Sequence, residues 1–289
     1  MNDRLFITLQ HLAPQHLLTH AAGWLANCTW GPLRAPFVQW FVRRYQVDMS
    51  EACVSDPLQY RTFNDFFTRA LKDGARPIAG DENTIACPAD GAISQRGPIT
   101  GDTLLQAKGR DFSLTSLLGG DPALAEQFRD GSFVTVYLSP RDYHRVHMPL
   151  AGTLTRMIHV PGKLFSVNQV TAEHVDSLFA RNERVVCCFD TAQGPLALVL
   201  VGAMIVGSVD TVWAGQVCPG RTRRSDIDYR DHVPAVQIGR GEEIGRFKLG
   251  STVIAVFGPG MASLAASLAA GDAVRMGQAI GTVTQDQSR

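Results

Sequence analysis

From about residue 82 onward the chain is a succession of short apolar runs bounded by Gly, Pro, Asn or Asp, and that texture admits few architectures. Ser132–Leu138, Val185–Phe189 and Leu196–Val201 are three such runs. Each has the length and the Val-rich or aromatic content of a strand closed off by turns. Leu114–Leu118 and Pro122–Phe128 read as helix. A weak internal echo links Gly241-Glu242-Glu243-Ile244-Gly245 to Gly277-Gln278-Ala279-Ile280-Gly281. The shared Gly-x-x-Ile-Gly suits a turn followed by a strand, the element of which biotinyl- and lipoyl-like sandwiches are built. The expected fold class is therefore α+β: a curled, mostly antiparallel β core, barrel-sandwich-like, preceded by amphipathic helices.

The first sixty or so residues differ in character. They hold Trp24, Trp30 and Trp40, three of the four tryptophans, with Pro14, Pro32 and Pro36 as punctuation. Three helices are expected, roughly 4–12, 15–28 and 34–46. In the last, Phe37, Trp40, Phe41 and Arg44 stand at i, i+3, i+4 and i+7, flanked by Arg34 and Arg43. Such a face fits a membrane interface, where tryptophan and arginine each keep one end wet. It equally fits packing on the rest of the chain or on a second subunit. The organisation expected is a helical region at 1–62 and a β-rich domain at 63–289.

Composition narrows the function. Lys+Arg and Asp+Glu balance at 27 each, so the polyanion-binding signature of nucleic-acid proteins is absent. Cys28, Cys53, Cys87, Cys187, Cys188 and Cys218 follow no metal-ligand spacing, and the adjacent pair suits opposite faces of a strand, which implies a reducing compartment. No secretory signal and no bilayer-spanning apolar run is read.

Three clusters carry chemistry. Asp90 sits in the turn Cys87-Pro88-Ala89-Asp90-Gly91. Asp142, His144 and His147 crowd the segment Tyr137–Pro149 directly after an apolar run. Lys248-Leu249-Gly250-Ser251-Thr252-Val253 places a Gly–Ser bond inside a strand-like stretch. A serine, two histidines and two carboxylates are the inventory of a Ser-His-Asp triad. A Gly-x-Ser-x-Gly elbow would mark an α/β-hydrolase, but no glycine stands two places after Ser251. The nearest electrophile to Ser251 is the Gly250 carbonyl, and glycine leaves the approach to it unblocked.

Phe63-Asn64-Asp65-Phe66-Phe67-Thr68-Arg69, Pro88-Ala89-Asp90-Gly91, Leu138–His147 and Phe247-Lys248-Leu249-Gly250-Ser251-Thr252-Val253 together resemble the bacterial membrane-type phosphatidylserine decarboxylase proenzymes. Gln106–Gly109, Phe179–Arg184 and Thr211–Gly215 resemble them too. Departures are the end at Arg289, without the long acidic tail of some members, and Pro219–Pro234, which matches less well.

The resemblance implies a proenzyme that cuts itself at Gly250–Ser251 and converts Ser251 to a pyruvoyl group. That group then forms a Schiff base with phosphatidylserine and releases CO2, with no metal and no pyridoxal phosphate. It implies His147, oriented by Asp90, as the base of maturation. His144 is implied as the residue that meets substrate carboxylate or carbanion, with Asp142 supporting one of the histidines. The two chains, ending at Gly250 and starting at Ser251, are expected to stay associated, with two such units forming a homodimer. The setting it implies is the cytoplasmic face of the bacterial inner membrane, peripherally bound. Ser166 and Asn168, in Gly162–Asn168, and Tyr137 are expected substrate contacts. Phe66–Arg69 is read as structural, with Arg69 in an ion pair; His11, His16, His20, His159, His174 and His232 are read as incidental. Competing readings are a pyruvoyl enzyme for a related amino acid or serine-headed lipid, a lipoyl-like carrier using Lys248, and a serine hydrolase.

Overall fold

The computed structural model describes residues 3–204, 208–218, 223–248 and 251–284. Three helices lead the chain: α1 (Asp3–Leu12), α2 (Gln15–Ala26) and α3 (Gly31–Tyr45). Pro14 separates the first two, and Pro32 occupies the first turn of α3, where its missing N–H costs nothing. A short fourth helix, α4 (Phe63–Phe67), is closed by a capping box in which Thr62 and Asp65 satisfy each other's backbone amides.

The expected aromatic stripe of α3 divides in two. Val38 and Phe41 turn inward and pack with Phe63, Phe66 and Phe67. Trp40 stays half exposed, and Leu12, Leu17, Trp24 and Trp30 are more exposed still. Among the described residues no helix is long and apolar enough to cross a membrane.

The rest is mostly antiparallel β structure, with short helices at Leu114–Leu117, Pro122–Glu126, Gln169–His174 and Leu178–Arg181, in agreement with the α+β expectation, although its sheets are open rather than closed into a barrel. The largest sheet runs, in spatial order, Ser225–Asp228, Gly152–Val160, Arg184–Thr191, Gly194–Val201, Ser251–Phe257, Ser132–Leu138, Gly91–Pro98 and Ala273–Val274. It separates two apolar cores. Val134, Val136, Leu138, Val253, Ala255 and Phe257 face one; Phe133, Ile254 and Val256 face the other, as the two-residue period of a strand requires. Burial on both faces explains why these runs read as continuously apolar.

A four-stranded sheet orders Gly215–Cys218, Ser208–Thr211, Glu243–Lys248 and Arg145–His147. The Gly-x-x-Ile-Gly echo falls on two real counterparts: Gly241 at φ 82° and Gly277 at φ 83° turn the chain into the strands Glu243–Lys248 and Ala279–Val283. A Cβ on either would meet Ile78 at 3.0 Å or less, so both turns need glycine for conformation and for space.

Candidate active site

Ser251 opens the central strand of the large sheet. Ser251–Phe257 is buried throughout and pairs with Ser132–Leu138 on one edge and Gly194–Val201 on the other, Ser251 lying opposite Leu138. The preceding strand, Glu243–Lys248, belongs to the other sheet. The chain therefore changes sheets across Leu249 and Gly250, which lie outside the described residues. By alternation Ser251 shares the face of Val253 and Ala255. Its hydroxyl is fully buried without a hydrogen-bond partner, as is that of the next residue, Thr252. A buried hydroxyl left unpaired costs about 1–3 kcal/mol. Two in succession mark the head of this strand as a place where something other than stability selects the residues.

His144 precedes the strand Arg145–His147, and His147 ends it. A carbonyl oxygen can only accept, so a ring nitrogen bonded to one carries the proton. His144 Nδ1 meets the Asp142 carbonyl at 2.8 Å; its Nε2 is then a bare lone pair, buried and without a partner. His147 Nδ1 donates to the Gly241 carbonyl at 2.8 Å, and its Nε2 accepts from the Tyr143 hydroxyl at 3.0 Å. Burial drives the His144 pKa down to about 3, and the nearby Arg69 adds to the effect. Burial also lowers that of His147 and Arg145 adds to it, but there the bond to the Gly241 carbonyl and the Glu243 and Asp90 carboxylates push the other way.

Neither carboxylate makes the expected hydrogen bond to a histidine. Asp90 is gripped by Arg76, whose Nε lies 2.9 Å from Oδ1 and whose Nη2 lies 2.5 Å from Oδ2, and it accepts the Met276 amide at 2.8 Å. It reaches His147 only through its field, although the two segments are tied where the His147 amide donates to the Pro88 carbonyl. Asp142 accepts the Ser139 amide at 2.7 Å, and burial raises its pKa. Among the other expected contacts, Ser166 Oγ is bonded to Thr171 Oγ1, and Asn168 caps the helix Gln169–His174. Both side chains are thereby committed locally.

Beside the serine end of the strand lies a cavity of about 480 Å³. Tyr137, Asp90, Asp142, Tyr143, Arg69 and Arg76 are in its wall; Ser251, His144 and His147 do not line it. Tyr137 is thus the one expected substrate contact that faces this space, and it pairs across the sheet with Thr252. Arg76 and Tyr143 carried no signal in the sequence beyond their closeness to other polar residues. Arg69 corrects an expectation: it is buried, but it is bonded to the carbonyls of Arg141 and Asp142 rather than to a carboxylate. His159, read as incidental, forms a buried 2.8 Å pair with Glu183. Lys248 lies within a strand, bonded to Asp210 at 2.9 Å, and not at an exposed hairpin tip.

The family model described as phosphatidylserine decarboxylase matches residues 63–282, and a second, described as PSD, matches residues 5–46. A phosphatidylserine decarboxylase proenzyme of Pseudomonas fluorescens (strain Pf-5) is 57% identical over 282 residues, covering 97% of this chain and 98% of that one. One from Pseudomonas putida (strain GB-1) is 57% identical, covering 99% and 100%. The chain belongs to the phosphatidylserine decarboxylase family. It is therefore a carboxy-lyase. Within the family match of residues 63–282 fall Asp90, His144, His147, the Gly250–Ser251 bond and the whole cavity wall from Arg69 onward.

Proposed function

We propose that the chain is a phosphatidylserine decarboxylase proenzyme that cuts its own Gly250–Ser251 bond, converts Ser251 to a pyruvoyl group and releases CO2 from phosphatidylserine to leave phosphatidylethanolamine. The observation that carries this reading is the place of Ser251: a buried, unpartnered hydroxyl at the point where the chain passes from one sheet to another. The residues present fit the group. Leu138 and Val253 give it apolar neighbours, and a ketone in place of the serine side chain leaves no hydroxyl donor to satisfy. Once formed, the pyruvoyl group supplies an electrophilic carbonyl for the substrate amine and holds the electron pair left by departing CO2.

In maturation Ser251 Oγ adds to the Gly250 carbonyl carbon as the amide nitrogen leaves, giving an ester. His147 takes the hydroxyl proton and returns it to that nitrogen. Loss of the Ser251 α-proton then expels Gly250 as a carboxylate, and water replaces nitrogen, released as ammonia. His147 is assigned this work because Glu243 and Asp90 favour its protonated form and offset part of what burial and Arg145 take from it. His144 has no such support. Its desolvated lone pair stays neutral, which suits turnover, where the substrate needs an uncharged neighbour at the carbon that loses its carboxylate.

The pieces would stay together after cutting. The smaller one supplies the central strand, paired along both edges, and Met276, whose amide holds Asp90. The exposed Leu12, Leu17, Trp24, Trp30 and Trp40 support peripheral binding of α1 to α3 to the cytoplasmic face of the inner membrane, so that headgroups reach the cavity while acyl chains stay in lipid. The mass of the purified protein under denaturing conditions tests the reading. Two pieces are expected, the smaller beginning at the former Ser251 with a blocked terminus; an intact chain with full decarboxylase activity would falsify it.

A further inference from the structure

Four arginines stand in the wall of the 480 Å³ cavity: Arg69, Arg76, Arg141 and Arg275. Three are matched by acids. Arg76 holds Asp90 and Glu51, Arg275 reaches Glu51 at 3.1 Å, and Arg141 lies 3.9 Å from Asp142. Arg69 is not. It is 4% exposed; its Nη2 donates to the carbonyls of Arg141 at 3.1 Å and Asp142 at 3.4 Å, and its guanidinium lies 5.7 Å from the centre of the Phe66 ring. Nε and Nη1 have no partner at all. A guanidinium cannot escape this position by losing its proton as a lysine can. Leaving two of its donors idle in a buried site is costly unless something else engages them.

Its position is tied to the histidine assigned to turnover. Helix α4 lays Phe67 against His144, with ring centroids 3.9 Å apart, and Arg69 follows two residues later. The Asp142 carbonyl that accepts from His144 Nδ1 also accepts from Arg69 Nη2. An anion held by Arg69 is therefore held close to the His144 ring.

We propose that Arg69 is the anchor for the phosphodiester of the lipid headgroup, a role that rests on the function proposed above. The substrate carries a second anion, its carboxylate, and energetics choose between them. A cation fixed on the carboxylate would stabilise the charge that disappears as CO2 leaves, and so would oppose the reaction. A cation on the phosphate, whose charge does not change, holds substrate, transition state and product alike. Arg69 then acts on binding and leaves the chemical step to the residues around Ser251.

The test uses the full chain carrying Arg69→Gln or Arg69→Lys. Both variants are expected to mature into two pieces. For Arg69→Gln, KM for phosphatidylserine in mixed micelles should rise about 10- to 100-fold, as loss of a charge-assisted bond implies, with kcat largely kept. Inhibition by glycerophosphoethanolamine, a phosphodiester without a carboxylate, should weaken by the same factor, and Arg69→Lys should recover part of both losses. A fall in kcat with KM and inhibitor binding unchanged would mean that Arg69 only braces the loop carrying His144. A raised KM with wild-type inhibitor binding would move the anchor to the carboxylate. Either result overturns the proposal. Calorimetry of glycerophosphoethanolamine on Ser251→Ala, with and without Arg69→Lys, reads the anchor independently of maturation, and equal affinity there overturns it as well. Failure of the wild-type chain to cut itself would instead overturn the proposed function.

Discussion

The surroundings of His144 and His147, three residues apart in one segment, differ in the property that decides what an imidazole can do. Around His147 lie a backbone carbonyl, the cation of Arg145, a tyrosine hydroxyl on Nε2 and two carboxylates that favour its charged form. Around His144 lie Phe67, a backbone carbonyl and the cation of Arg69. Sequence spacing makes them look like a pair, and a His-x-x-His motif invites a shared role. Burial holds both rings below the ordinary imidazole range, but only His147 has carboxylates beside it that oppose the effect. The lesson is that proton affinity is set by what packs on a ring, so adjacent histidines on one strand end can serve successive reactions.

The strongest way to break this comparison is to remove the group that both histidines are proposed to serve. Ser251→Ala should abolish cutting and decarboxylation completely, and the chain should run as one piece on a denaturing gel. It also isolates the fold, since the strand loses only an unpartnered hydroxyl and its melting temperature should not fall.

Next in size are the histidines themselves. His147→Ala should slow cutting by about 10²- to 10⁴-fold, the usual loss for a positioned general base, as followed by the appearance of the two pieces with time. His144→Ala should mature at close to the wild-type rate and then show the loss in turnover. The reverse pattern, with His144→Ala uncut and His147→Ala cut normally, would invert the division of labour drawn from the carboxylate surroundings.

How far the sequence reaches follows from what each feature depends on. Helix and strand positions depend on local periodicity and turn chemistry, so helices expected near 4–12, 15–28 and 34–46 are found at Asp3–Leu12, Gln15–Ala26 and Gly31–Tyr45. The same is true of the two echo glycines, whose positive φ is a local demand. The site was legible as an inventory of serine, histidines and carboxylates, but its wiring was not. Asp90 is bound to Arg76, 14 residues away, and to the amide of Met276, 186 residues away, and no spacing rule connects these. Phe41 and Trp40 are neighbours on one apolar stripe, yet only tertiary packing buries the first and leaves the second half exposed. Asn168, expected to contact substrate, sits three residues before Thr171 as the N-cap of Gln169–His174, a local role that helix-start chemistry makes readable from sequence.

A smaller effect sharpens the comparison through pH. The His144 pKa falls from an ordinary 6.5 to about 3 in the folded protein, so the unfolded chain binds the extra proton first as acid is added. The contribution of a neutral, buried His144 is fully present above pH 6.5 and is lost as the pH falls from 6.5 towards 3. His144→Phe, which keeps an aromatic ring against Phe67, should therefore lose less stability than the wild type across that interval. Parallel melting curves at descending pH are the measurement. Identical slopes would mean that His144 titrates normally and that the contrast with His147 is not electrostatic.

The smallest effect expected is the most specific to His147. In the structure the Tyr143 hydroxyl occupies the lone pair on Nε2 that is proposed to take the Ser251 proton, so on that proposal cutting requires the bond to be exchanged. Burial raises the Tyr143 pKa to about 12, so at neutral pH the tyrosine remains a donor. Tyr143→Phe removes the competing donor and keeps the ring. A neutral hydrogen bond contributes about 0.5–1.5 kcal/mol net, so the variant should cut faster by a factor between about two and ten. The gain should be confined to maturation, because His144, which has no contact with the hydroxyl, is assigned to turnover. Slower cutting in Tyr143→Phe would show that the hydroxyl orients His147 or relays its proton, and the tyrosine would then join the base as part of the maturation machinery.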